Sequence, residues 1–157
     1  MLFRSKAGAK NVICIVGDGS FMSNLQELAV ITEHNLPIKI VLLNNAGYLS
    51  IKNTQSKFYE GRVYGSTISS GLSFPSFAQI AHAFRIEYDV FCSVNHLDKE
   101  MYTALHKQHP AIINCVCTQN QQILPAQGLK DGKQAPLHDM VPFLSDEEMK
   151  AEMVVQL

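Results

Sequence analysis

The apolar positions of this chain fall into short runs separated by polar breaks. Residues 11–16 read Asn-Val-Ile-Cys-Ile-Val, a continuous apolar run rich in β-branched side chains. Such a run predicts a strand covered on both faces, as in a parallel sheet. Gly17-Asp18-Gly19-Ser20 breaks the run. A helix is expected next, with Ser23 and Gln26 at capping-box spacing and Leu25, Leu28, Ala29 and Thr32 on its inner stripe. Pro37 cannot continue a helix, so Asn35-Leu36-Pro37 closes it. A second strand over residues 38–43 ends at Asn44-Asn45. Residues 46–74 are irregular and rich in Gly, Ser, Thr and Tyr. A stretch that long in a compact domain is usually functional or contains short helices. Pro75-Ser76 opens a helix reaching about Phe84, and a strand is expected near residues 88–91. A helix over residues 98–108 ends at His109-Pro110, and residues 111–118 give a last apolar strand.

Strands alternating with helices predict an α/β fold, an open and mostly parallel sheet with helices on both faces. Residues 1–118 would form that domain. Residues 119–157 are polar with Gly and Pro, then end in a short amphipathic segment. This tail is expected to pack on the domain or a partner, because Met140, Val141, Phe143, Met149 and Met153 have no evident core of their own.

Composition narrows the function classes. The 157 residues fit one domain, and the net charge of −1 offers no basic stripe for nucleic acid. No apolar run reaches the ~18 residues of a membrane helix. The start, Met1-Leu2-Phe3-Arg4-Ser5-Lys6, lacks a secretory signal's apolar core, so four cysteines read as reduced thiols of a cytoplasmic protein. Cys115 and Cys117 share a strand face, but two further ligands at metal spacing are missing, which favours packing.

The chemistry concentrates where strands end, which is where open α/β sheets bind ligands. After the first strand, Gly17 and Gly19 bracket Asp18 and lead into a helix whose first N–H groups attract anions. A phosphate suits such a turn, yet Asp18 would repel it. A divalent cation between them resolves the conflict, and Mg²⁺ accepts one or two carboxylates together with phosphate oxygens. Asn45 can add an amide oxygen, and the irregular backbone at Ala46-Gly47 a carbonyl. Alone, each motif reads as a plain turn. Together they put two strand ends, one intervening helix and 27 positions between Asp18 and Asn45. Gly17 to Met22 lacks the third glycine of a dinucleotide fingerprint, and no P-loop is present.

Gly17-Asp18-Gly19-Ser20, followed about two dozen residues later by Asn44-Asn45, resembles the motif of thiamine-diphosphate-dependent enzymes. GDGSFMSNLQE, then Leu36-Pro37-Ile38-Lys39 and NNAGY, is similar to the acetolactate-synthase and pyruvate-decarboxylase branch. The likeness runs on through residues 77–84 and 110–113, and Ala135-Pro136-Leu137-His138-Asp139-Met140 resembles the end of acetolactate-synthase-like large subunits. The resemblance implies the C-terminal cofactor domain, binding thiamine diphosphate and Mg²⁺. It implies Asp18, Asn45 and the Gly47 carbonyl as metal ligands, Gly19 and Ser20 as diphosphate donors, and Tyr48 and Leu49 beside the cofactor. The implied activity is decarboxylation of a 2-keto acid and carboligation, with the cofactor doing the organic chemistry. The family's activating glutamate lies in a pyrimidine-binding domain that nothing here matches. The early part of the cofactor domain is also expected to be missing, so the chain reads as N-terminally truncated and inactive alone. It would work as a homo-oligomer or with that pyrimidine-binding domain; the alternative is a non-catalytic structural or interaction module. The branch usually carries a tryptophan near the place of Thr54, and this chain has none.

His106 and His109 are expected as solvated residues of a helix C-terminal turn, as is His34 at its own helix end. Tyr48, Phe58, Tyr59 and Tyr64 either line a substrate pocket or pack the loop, and Arg62 could meet a carboxylate.

Overall fold

The structure is a computed structural model that describes residues 12–92, 99–122 and 124–152. Expectations for Met1–Lys10, for Asn11 and Asp98 as element ends, and for Met153 lie outside those residues. The chain divides into two compact units, residues 1–120 and 121–157.

The first unit is built on four strands: β1 (Val12–Gly17), β2 (Ile38–Asn44), β3 (Glu87–Phe91) and β4 (Ala111–Val116). All pair in parallel in the order β1-β2-β4-β3. The helices are α1 (Asp18–Met22), α2 (Glu27–Glu33), α3 (Leu49–Phe58), α4 (Phe77–Ala83) and α5 (Lys99–Leu105). The fold is the open parallel α/β sheet expected, with helices on both faces. Strand periodicity explains the layers, since alternate side chains point to opposite faces. On one face Val12, Ile38, Ile40, Leu42 and Ile112 meet Leu28 and Ile31 of α2 and Phe77 and Ala81 of α4. On the other, Ile113 and Phe91 meet Ala104 of α5. Leu42, Ile112 and Ile113 are fully buried, each contributing roughly 1.5–3 kcal/mol by burial.

Three local expectations are corrected. The first strand is not covered on both faces: Ile13 and Ile15 are 52% and 69% exposed. Among the described residues β1 is one of the two edge strands, with β3 at the other end, and α5 packs over β3 and β4 instead. Second, Ser23 and Gln26 form no capping box. Ser23 ends α1, and a series of turns over residues 23–26 precedes α2, whose N-cap Gln26 makes no side-chain bond. That break sets the helix phase, so Ile31 is buried with Leu28 while Ala29 is exposed. Third, the strand and helix near the chain's middle are shorter than their patterns, since β4 stops at Val116 and α5 at Leu105. The 46–74 stretch holds α3 and a 3₁₀ turn at Ile68–Ser70. No helix of the described residues is long and apolar enough to cross a membrane.

The second unit contains β5 (Ala126–Gln127), β6 (Leu129–Lys130), β7 (Lys133–Gln134), β8 (Met140–Val141) and α6 (Asp146–Glu152). β5 pairs with β8 and β6 with β7, both antiparallel. Gly128 lies so close to Val141 and Phe143 that a Cβ there would sit 2.4 Å from Val141. Val141 and Phe143 thus lie against Gly128 within their own unit, with Phe143 still 38% exposed.

Candidate functional site

The register of the sheet brings the two motifs to one edge. Gly17 lies opposite Leu43, so Asp18 and Asn44-Asn45 leave adjacent strands side by side. Asp18 is 2% exposed. Its Oδ1 accepts the N–H of Gly19 at 2.7 Å, and its Oδ2 accepts the N–H of Gly47 at 3.1 Å. No ion pair among the described residues includes it. A buried carboxylate held by two neutral amides has surplus negative charge, and such charges are normally paired or bound to metal.

The two asparagines do different work. Asn44 Oδ1 accepts the N–H of Ala46 at 3.1 Å, and its carbonyl accepts the N–H of Cys117 at 2.7 Å. Asn45 Oδ1 is buried with no hydrogen-bond partner. Leaving such an acceptor unmatched costs about 1–3 kcal/mol. Between them and Gly47 the backbone turns through Ala46 at φ 56°, a left-handed conformation costly for a residue with a Cβ. The loop is held in a strained shape that leaves one amide oxygen free.

Both glycines are packed too closely for a side chain. A Cβ on Gly19 would lie 2.0 Å from Cε1 of Tyr48, and one on Gly47 would lie 2.8 Å from the Ser66 carbonyl. The Tyr48 ring therefore stands against Gly19, and it also meets Phe74 edge-on at 5.9 Å. Leu49, partly buried, begins α3; Ser20 is exposed on α1; Gly17 precedes α1 in extended backbone. One carboxylate, one free amide oxygen and nearby carbonyls suit Mg²⁺, which needs few protein ligands and keeps waters and phosphate oxygens. No cluster of three or more His, Cys, Asp or Glu able to hold a metal occurs among the described residues.

Other sequence candidates separate from this site. Tyr59, Tyr64 and Arg62 line an open cleft of about 580 Å³ with Ile51 and Thr54, whereas Tyr48 packs against Gly19 and Phe74. Phe58 is 48% exposed, so the four aromatics form no single cluster. Arg62 pairs with Glu60 at 3.2 Å in full solvent. His106 stacks on Tyr102, its Nδ1 2.7 Å from the Tyr102 carbonyl, and exposed His34 caps α2. His109 contacts Glu87 at the opposite end of the sheet from the site. Cys115 packs against the Ile113 cluster, and burial pushes its thiol up.

Sequence reasoning missed the loop that backs Gly47. The Ser66 carbonyl accepts the N–H of Tyr48 at 2.9 Å, and Gly47 bridges to Thr67. Ser66 itself is fully buried. Its only signal in the sequence was a concentration of small polar residues. Lys52, on α3, also lines the small pocket at Asn45–Gly47, with its ammonium held by Gln119 O and Asn120 Oδ1.

Residues 3–115 match the family model for the thiamine pyrophosphate enzyme C-terminal TPP binding domain. The chain is 33% identical over 114 residues to the acetolactate synthase large subunit of Porphyra purpurea, covering 73% of this chain and 19% of that protein. It is 31% identical over 114 residues to the acetolactate synthase isozyme 2 large subunit of Escherichia coli (strain K12), with 73% and 20% covered. The chain thus spans about a fifth of the length of the curated relatives it matches. Among solved structures, the Rhodococcus jostii RHA1 thiamine diphosphate-dependent 4-hydroxybenzoylformate decarboxylase shares the fold. Its TM-score is 0.61 at 20% identity, over 71% of this chain and 20% of that one. This chain belongs to the thiamine pyrophosphate enzyme family, as a C-terminal TPP-binding domain resembling that of acetolactate synthase large subunits.

Proposed function

We propose that this chain supplies the metal and diphosphate half of the cofactor site of an enzyme that decarboxylates and ligates 2-keto acids. The observation that carries the reading is the orphaned, buried Oδ1 of Asn45 beside a loop tied to the buried Asp18 carboxylate. Asp18, Asn45 and the Gly47 carbonyl would hold Mg²⁺, a set that supplies both the missing counter-charge and the missing partner. Gly17 and Gly19 keep the turn open, Ser20 would donate to the diphosphate, and Tyr48 and Leu49 would border the cofactor. Gly19 already donates its N–H to Asp18, so its contribution is close approach. Bound thiamine diphosphate would supply the nucleophilic carbon and the electron sink for loss of CO₂. This chain's own groups bind, orient and neutralise charge.

The exposed Ile13 and Ile15 support association of the sheet with further polypeptide, either a pyrimidine-binding domain or another copy. The free thiols of Cys14, Cys92, Cys115 and Cys117 support a cytoplasmic setting. Isothermal titration with thiamine diphosphate, once with Mg²⁺ and once with EDTA, tests the reading. Binding that needs Mg²⁺ and disappears in Asp18→Ala is expected. No binding, even with a pyrimidine-binding domain supplied in trans, overturns it in favour of a non-catalytic module.

A further inference from the structure

We propose that Gln55 is a positioning residue for the Gly47-Tyr48 main chain, acting through Ser66. The inference rests on the cofactor reading above for its consequence, but its geometry stands on contacts within α3 and the loop that follows. The Gln55 carboxamide spans that loop with three hydrogen bonds. Its Oε1 accepts the Ser66 hydroxyl at 2.7 Å and the Tyr64 N–H at 3.3 Å, while its Nε2 donates to the Tyr64 carbonyl at 2.9 Å. The Tyr64 N–H can only donate, which fixes the oxygen end of the amide on that side.

Ser66 is thereby held from one side by α3. From the other, its N–H donates to Ser70 Oγ at 3.1 Å, as does that of Thr67 at 2.9 Å. Gly65 N–H donates to the Ser70 carbonyl at 2.8 Å, which closes the loop on itself. The rigid unit presents the Ser66 carbonyl to Tyr48 N–H at 2.9 Å and lies flush against Gly47. Gly47 is consequently gripped between Ser66-Thr67 and Asp18 Oδ2. Its carbonyl direction is set by that grip, because one peptide plane joins it to the Tyr48 N–H. Groups that orient ligands in this way typically change metal affinity 10–100-fold when removed. These bonds of Gln55 go to Tyr64 and Ser66, so it acts by holding the chain. Glutamate cannot replace it fully, since it lacks the donor for the Tyr64 carbonyl and brings a charge that carbonyl repels.

Amide hydrogen exchange of the full chain, read by NMR at Tyr48, tests the tether without any cofactor. Gln55→Ala is expected to accelerate Tyr48 exchange about tenfold, through easier local opening, while Ile40 and Leu42 in β2 stay unchanged, with Gln55→Glu intermediate. Ser66→Ala, which removes only the hydroxyl bond, should act in the same direction. Mg²⁺-dependent affinity for thiamine diphosphate should fall about tenfold in Gln55→Ala. Unchanged Tyr48 exchange in both Gln55→Ala and Ser66→Ala overturns the inference, as does unchanged affinity alongside faster exchange. If the unsubstituted chain shows no binding even with a pyrimidine-binding domain supplied in trans, the cofactor reading fails, and the exchange measurement decides the tether by itself.

Discussion

Gly47 donates its main-chain N–H to Oδ2 of Asp18 at 3.1 Å, joining the loop after β2 to the turn after β1. The bond turns two strand ends into one site, and it fixes what substitutions around it should do.

Gly19→Ala is predicted to destabilise the chain by about 1–3 kcal/mol, because its Cβ would drive into the Tyr48 ring. In a helix, alanine is otherwise favoured over glycine by about 0.5–1 kcal/mol, so a net loss isolates the steric effect. Tyr48→Ala should relieve most of it. Denaturant unfolding of the two single variants and the double variant would reveal the coupling; additive effects would contradict the packing.

The pattern of apolar residues told much of this fold and little of the loop that supports the site. β2 and β4 were legible because strands covered on both faces read as largely apolar runs, and β1 reads the same way although one of its faces is bare. α3 was not, because it buries no residue and its sequence, LSIKNTQSKF, has no stripe for a core to select. The exposure of Ile13 and Ile15 was also invisible, since a strand run reads the same whether its second face is covered or bare. Asp18 and Asn45 stood out by charge and spacing. That Asn44 serves the backbone while Asn45 keeps its oxygen free depends on the Ala46 turn, a matter of dihedral angle. Gln55 and Ser66 carry no motif and meet only in three dimensions.

Acid should weaken the fold through Glu87. Its hydrogen bond from Lys107, and then its contact with His109, hold its carboxyl below the ordinary value of 4.5. A depressed carboxyl contributes stability above the unfolded value, and that is lost as pH falls below 4.5 through the folded value. Glu87→Gln should flatten the pH dependence of unfolding in that range while leaving neutral-pH behaviour of the distant site intact. A slope equal to that of the unsubstituted chain would show that another group carries it.

Lys39 gives the opposite limb. It is fully buried on β2, donates to the His109 carbonyl at 2.8 Å, and has its pKa lowered by burial and then by Lys107. The folded state binds this proton less tightly than the unfolded chain, so stability rises with pH between the folded value and 10.5. Lys39→Met should therefore lose part of that rise. Identical alkaline slopes for the two proteins would mean that Lys39 finds water or another acceptor.

The open face of β1 predicts association. Ile15→Glu places a charge on a side chain that is 69% exposed, so monomer stability should change by no more than about 0.5 kcal/mol. Light scattering should nonetheless show smaller species than for the unsubstituted chain. Equal particle size would remove Ile13 and Ile15 from the interface.

Replacing Mg²⁺ by paramagnetic Mn²⁺, with thiamine diphosphate present, and following amide resonances tests the site most directly. Broadening should be strongest at Gly19, Asn45 and Gly47 and should vanish in Asp18→Asn. Broadening centred instead on Glu87, Asp89 and His109, or unaffected by Asp18→Asn, would contradict a metal site between the two strand ends.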